Sequence, residues 1–103
     1  MTLKHINAKE AKQLADGGAV LVDVRETREF ASETIPGATN RPLSRLGSGP
    51  FDVDAEQVVF YCKSGGRTHM AANALSRLTK SEVYIMDGGI EAWKAAGLPI
   101  QRG

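Results

Sequence analysis

Cys62 is the one cysteine of the chain, and Lys63-Ser64-Gly65-Gly66-Arg67-Thr68 follows it directly. The thiol closes the apolar run Val58-Val59-Phe60-Tyr61 and precedes a helix-compatible stretch. A strand would carry the sulfur to a tight loop, and the loop would open a helix. Backbone N–H groups at such a turn converge on an anion, and the helix dipole favours negative charge there. A thiol of ordinary pKa, ~8.5, is mostly neutral at pH 7. Lys63, Arg67 and the positive end of the helix all favour thiolate, so Cys62 is expected to be ionised in part or in large part at neutral pH.

The rest of the segment suits an anionic substrate. Gly65 and Gly66 lack Cβ atoms, which permits positive φ and close approach of backbone to a ligand. Arg67 offers a planar fork of donors matched to an oxyanion. Thr68 can cap the helix or donate to the same anion. Together these residues describe a thiolate ringed by donors. Such a group can attack an electrophilic sulfur and hold the product as a persulfide.

Plainer readings stand beside this one. A lone cysteine at a strand end is commonly an inert, buried hydrophobe. Gly65-Gly66 could be a simple turn, although a simple turn does not require an arginine beside a thiol. Arg67 is expected either to contact substrate or to pair with Glu26 or Asp23. Asp23, Arg25 and Glu26 read as a supporting salt-bridge network rather than as reacting groups. Lys63 reads as solvated, His5 as a surface residue, and Trp93 as core packing against Ile90 and Leu98. His69 receives no catalytic role.

Elements that would position the loop are legible around it. Asn7 with Glu10 forms a capping-box pattern before a short helix over Ala8–Asp16, ended by Gly17-Gly18. Ala19-Val20-Leu21-Val22, closed by Asp23, is a buried-strand run. Thr27 to Ser32 suits one or two helical turns, and Ile35-Pro36-Gly37-Ala38 cannot be regular helix. A short strand is expected at Thr39-Asn40, and a polar surface loop at Ser44 to Gly49. Val58 to Tyr61 and Val83 to Met86 are further strands. Between them, Met70, Ala71, Ala74, Leu75 and Leu78 mark one face of a helix over Arg67 to Leu78. Asp87-Gly88-Gly89 turns the chain into a helix from Ile90 to Ala96, stopped by Gly97 with Pro99 beyond. Alternating strands and helices imply an α/β domain, a mainly parallel sheet with helices on both faces. Sites in such sheets gather at the carboxyl ends of strands, where Asp23–Arg25, Cys62–Thr68 and Asp87–Gly89 lie.

Composition narrows the function classes. The 103 residues suit one domain, residues 1–103, with 42% hydrophobic residues for a core. A net charge of +1 argues against a general nucleic-acid binder. No apolar run approaches the ~18–20 residues of a membrane-spanning helix, and the first residues lack a secretory signal. One cysteine excludes an internal disulfide and any multi-cysteine metal cluster. A cytoplasmic thiol is the simplest reading.

The segment Cys62 to Thr68 resembles the active-site loop of rhodanese-like sulfurtransferases. Asp23-Val24-Arg25-Glu26, Glu29-Phe30 and Ile35-Pro36-Gly37-Ala38 resemble that family's first signature block. Asp87-Gly88-Gly89-Ile90 with Trp93 resembles its closing block, so the likeness covers nearly the whole chain in order. One departure is Glu33-Thr34, where the family often has Gly-His. The resemblance implies a parallel sheet of about five strands and a ping-pong reaction. Cys62 would take a sulfane sulfur from thiosulfate or a persulfide and pass it to cyanide, a thiol or a protein acceptor. Lys63 to Thr68 would form the anion cradle, and Asp23, Arg25 and Glu26 would support the loop from below. No metal or organic cofactor is implied. Some relatives continue into a membrane anchor, so a membrane-tethered protein is the alternative should the natural chain extend beyond Gly103.

Two other functions compete. One is a rhodanese-like module that displays a persulfide or recruits a partner without turnover. The other is a phosphatase or arsenate reductase on the same scaffold. Cysteine-dependent phosphatases have a loop one residue longer, whereas four residues separate Cys62 from Arg67 here. The shorter ring favours a sulfur atom over a phosphoryl group.

Overall fold

The computed structural model describes residues 3–46, 51 and 53–103. Residues 47–49 of the expected surface loop lie outside this range; its start, Leu43–Arg45, is a turn of 3-10 helix. The core is a five-stranded sheet in the order β1-β6-β5-β2-β4, with every neighbouring pair parallel. The strands are β1 (Leu3–Ile6), β2 (Val20–Asp23), β4 (Thr39–Asn40), β5 (Gln57–Tyr61) and β6 (Glu82–Met86). A separate antiparallel pair joins β3 (Glu33–Thr34) to β7 (Gln101–Arg102). The helices are α1 (Ala8–Asp16), α2 (Thr27–Ser32), α3 (Gly66–Ser76) and α4 (Gly89–Ala95).

Side chains of β5 alternate between two cores, as strand geometry requires. Val59 and Tyr61 pack on the face covered by α1 and α4, with Leu21, Ile90 and Trp93. Val58, Phe60 and Cys62 pack on the face covered by α3, with Val22, Leu75 and Ile85. The sheet is therefore covered on both sides, and β5, which delivers Cys62, lies at its centre. Trp93 is buried and donates its indole N–H to the Pro99 carbonyl at 2.7 Å, which fixes the chain beyond α4.

Helix α1 begins as its sequence indicates. The Asn7 side chain accepts from the Glu10 N–H at 2.8 Å, and the Glu10 carboxylate accepts from the Asn7 N–H at 3.0 Å. Helix α3 departs from the expected face. Its buried residues are Thr68, Ala72, Leu75 and Ser76, while Met70 is 90% exposed and Ala74 is also exposed. Leu75 is common to both sets, and Ala71 and Leu78 are half-buried against the core. Thr68 sets the rotation: its hydroxyl is needed beside Cys62, and bringing it inward turns Met70 outward.

Candidate active site

The loop between β5 and α3 wraps its backbone around a sulfur. Cys62 is 1% exposed. The Gly65 N–H donates to its Sγ at 3.2 Å, and the Thr68 hydroxyl lies 3.6 Å from the same atom. That hydroxyl also donates to the Gly65 carbonyl at 3.1 Å, so its one proton has two acceptors within reach. Burial pushes the Cys62 thiol up, but the Thr68 N–H and hydroxyl and the N–H groups of Gly65 and Arg67 outweigh it, and the pKa falls below the ordinary thiol value. Hydrogen bonds to the charged form, rather than nearby formal charges, hold the thiolate. Lys63 and Ser64 are exposed at the loop's outer edge.

Glycine is required at Gly65. It caps α3 in the left-handed region at φ 100°, and a Cβ there would sit 3.0 Å from the Gly88 backbone nitrogen. Gly66 has open space around it. The contact with Gly88 shows what holds the loop from the other side. Helix α4 donates its first free N–H groups to the loop, Ile90 to the Cys62 carbonyl at 2.9 Å and Glu91 to the Lys63 carbonyl at 3.0 Å. Gly89 lies at φ 58°, and a Cβ on it would overlap both of those carbonyl oxygens. The Gly88-Gly89 pair thus lets two pieces of backbone touch.

On the remaining side stands α2. Arg67 forms a two-pronged pair with Glu29, Nη1 to Oε1 at 2.9 Å and Nη2 to Oε2 at 3.1 Å. The partner is Glu29, not Glu26 or Asp23 as expected. One helical turn explains the difference: Glu26 precedes α2 and accepts from the Ser44 hydroxyl at 2.9 Å, whereas Glu29 sits inside α2 facing the loop. The Arg67 hydrogen bonds, against opposing burial, hold the Glu29 carboxyl down to about 2.

Asp23 and Arg25 form a buried pair at 2.7 Å. Arg25 also donates to the Glu33 carbonyl at 2.6 Å, and Asn40 donates to the carbonyls of Asp23 and Arg25 at 3.0 Å each. This network joins the end of β2 to β3 and β4. The carboxylate that reaches the loop is Glu29, which lies within the block resembling the family's first signature. Its signal was present only as an acidic residue at the position after Arg28, with no local clue to a partner 38 residues away. His5 is exposed and bonds Asp87 at 3.0 Å, with the His69 ring 5.2 Å away. Among the described residues no group of acidic, histidine and cysteine side chains is arranged to hold a metal ion, and no helix is long and apolar enough to cross a membrane.

A five-stranded parallel sheet with a cysteine loop at the carboxyl end of its central strand defines an α/β class that the comparisons then specify. Residues 7–96 match the family described as rhodanese-like domain, and the chain belongs to that family. It is 38% identical over 96 residues to the thiosulfate sulfurtransferase GlpE of Ectopseudomonas mendocina (strain ymp), covering 89% of this chain and 85% of that protein. It is 40% identical to the uncharacterized protein slr1261 of Synechocystis, where it covers 91% of this chain but spans 54% of that protein's length. The crystal structure of a rhodanese-related protein from Thermoplasma volcanium superposes with a TM-score of 0.81 at 26% identity, covering 95% of this chain and 97% of that one.

Proposed function

We propose that this protein is a sulfurtransferase in which Cys62 carries a sulfane sulfur between a small anionic donor and a thiophilic acceptor. The observation that supports this most is the convergence of the Gly65, Arg67 and Thr68 N–H groups, with the Thr68 hydroxyl, on a sulfur of lowered pKa. In the first step the Cys62 thiolate attacks the outer sulfur of thiosulfate. A bond forms between Sγ and that sulfur, the sulfur–sulfur bond of the donor breaks, and sulfite leaves with the electron pair. In the second step an acceptor such as cyanide attacks the outer sulfur of the persulfide. Thiocyanate departs and the Cys62 thiolate is restored. Electron pairs balance in both steps, so the scheme contains no cofactor. No general base is required, because the hydrogen bonds that lower the Cys62 pKa favour the thiolate that attacks.

The ring of N–H groups has a second use in this scheme. A persulfide places its terminal sulfur anion one bond beyond Sγ, and donors at the helix N-terminus favour negative charge there. Arg67 is shared with Glu29 and acts chiefly to brace the loop, with its charge still felt at Cys62.

Mass spectrometry after thiosulfate treatment tests the covalent step. The peptide bearing Cys62 should gain about 32 Da, the mass of one sulfur, as expected of a covalent intermediate. Cyanide should then remove it as thiocyanate, and Cys62→Ser should abolish both events while the protein stays folded. Persulfide formation without thiocyanate release would favour a carrier or partner-binding module. Phosphate release from an aryl phosphate would favour the phosphatase reading, which the four-residue gap between Cys62 and Arg67 opposes.

A further inference from the structure

Helix α3 has an outer face that the sulfur-transfer scheme does not use. Gly66, Met70, Asn73, Ala74 and Arg77 recur at helical spacing, and all five are exposed. Met70 is 90% exposed and is the one exposed large hydrophobic side chain among the described residues. A single exposed apolar side chain is ordinary on a protein surface. Two observations set this one apart. Gly66 and Ala74 stand four positions to either side of it, so no long neighbour on its stripe shelters its stem, and the space above Gly66 is open. Residues 62–81, moreover, hold Lys63, Arg67, Arg77 and Lys80 but no aspartate or glutamate. Arg67 meets Glu29, whereas Lys63, Arg77 and Lys80 have no ion pair among the described residues. Lys63 before the stripe and Arg77 at its end bracket it, and helical rise makes it roughly 16 Å long. On one flank the His69 ring lies 5.2 Å from that of His5, which takes up Asp87 at 3.0 Å.

Shape and charge together define an occupant. A flexible, polarisable knob on a shelf of small side chains fits an apolar pocket. Unpaired cations at both ends call for carboxylates around that pocket. A membrane is a poor match, because one apolar side chain makes no broad face to insert. Nucleic acid is a poor match too, because the stripe has no aromatic ring on which a base could stack.

We propose that the outer face of α3 docks a protein partner that presents an apolar pocket rimmed with carboxylates, with Met70 as the anchor. Such docking does not depend on the sulfur chemistry, but the fold places the two side by side. Met70 lies two residues beyond Thr68, whose hydroxyl is 3.6 Å from Cys62 Sγ, and the helix is opened by the Gly65 N–H that meets the same sulfur at 3.2 Å. A partner seated on this face therefore stands next to the cysteine loop.

A helical peptide of about 16 residues, long enough to span the stripe, serves as the probe. It carries leucines along one side and glutamates around them, and the reduced wild-type protein is titrated with it by NMR. Saturating shifts are expected at the Met70 methyl group and at the amides of Gly66, Asn73, Ala74 and Arg77. Met70→Gln should weaken binding about tenfold, the scale of one buried apolar anchor, and Arg77→Gln a few-fold. Unchanged affinity of Met70→Gln, equal binding of a peptide with lysine in place of glutamate, or shifts confined to other elements would overturn the proposal. Equal shifts with phosphatidylglycerol vesicles would reassign the face to a membrane. Self-association in sedimentation that Met70→Gln abolishes would reassign it to a second copy of the chain. Thiosulfate should load Cys62 of Met70→Gln as it loads wild type, so failure of the docking face and failure of the sulfur chemistry read out separately.

Discussion

Two helices of this molecule begin in the same way and use their N-termini differently. Helices α3 and α4 each start from a left-handed glycine, Gly65 at φ 100° and Gly88 at φ 78°. Each presents unpaired N–H groups and the positive end of a dipole. At α4 these groups are taken by the Cys62 and Lys63 carbonyls. At α3 they face Cys62 Sγ. One N-terminus is spent on holding a loop in place, and the loop so held leaves the other free to meet an anion. A helix N-terminus is thus an anion site only where no other part of the chain has already claimed its donors.

The largest effect is expected where that claim is broken. Gly89→Ala adds a methyl group at φ 58° into the Cys62 and Lys63 carbonyls. Left-handed strain and the overlap together should cost about 3 kcal/mol or more. A urea unfolding midpoint measures the loss, and an unchanged midpoint would show that α4 does not brace the loop as described. Gly65→Ala is next. Its φ of 100° and the 3.0 Å approach to Gly88 should cost about 1–3 kcal/mol and disturb the N–H aimed at the sulfur. The Cys62 thiol pKa, read from the pH dependence of alkylation, should therefore rise as well.

Thr68→Val keeps the shape of the side chain and removes its hydroxyl. Alkylation of Cys62 should then need a higher pH, because one of the donors that favour thiolate is gone. A profile identical to wild type would mean that backbone N–H groups alone set the pKa.

Glu29→Gln probes the α2 side. The folded-state pKa of Glu29 is about 2, below its ordinary 4.5. Its contribution is therefore complete above the unfolded value and is lost as pH falls from about 4.5 towards 2. The Arg67 side chain is 39% exposed, so solvent screening should limit the contribution to about 1 kcal/mol or less. The difference between wild-type and variant stability should shrink across that window; a constant difference would assign it to something other than this charge pair. Gly66→Ala should do least. It has open space and no positive φ, so stability should hold or gain up to about 1 kcal/mol.

These contrasts also separate what the sequence displays from what it conceals. The Cys62 loop, the α1 capping box, and strands β2, β5 and β6 rest on local signals: continuous apolar runs, caps and paired glycines. Strand β1 went unrecognised because Leu3-Lys4-His5-Ile6 is half polar and runs along the sheet edge. Strands β3 and β7 are two residues each, and only their mutual pairing makes them strands. The face of α3 was misjudged because a count of apolar residues gives weight to Met70 and none to Thr68, whereas Thr68 is buried for its hydroxyl. The Arg67 partner depends on how α2 is turned against the loop, which no short-range pattern contains.

The clamp from α4 also has a meaning in time. Gly89 follows Cys62 by 27 positions. A ribosome adding about 5–20 residues per second takes on the order of 1–5 s to make that stretch. Until it has emerged, the Cys62 and Lys63 carbonyls lack the donors that fix them, and β6 is not yet beside β5. A nascent chain of that length therefore carries the Cys62 loop without its brace from α4. The donors that lower the Cys62 pKa are made within six residues of it, whereas the α4 donors that fix the loop's carbonyls come only with this later stretch of chain.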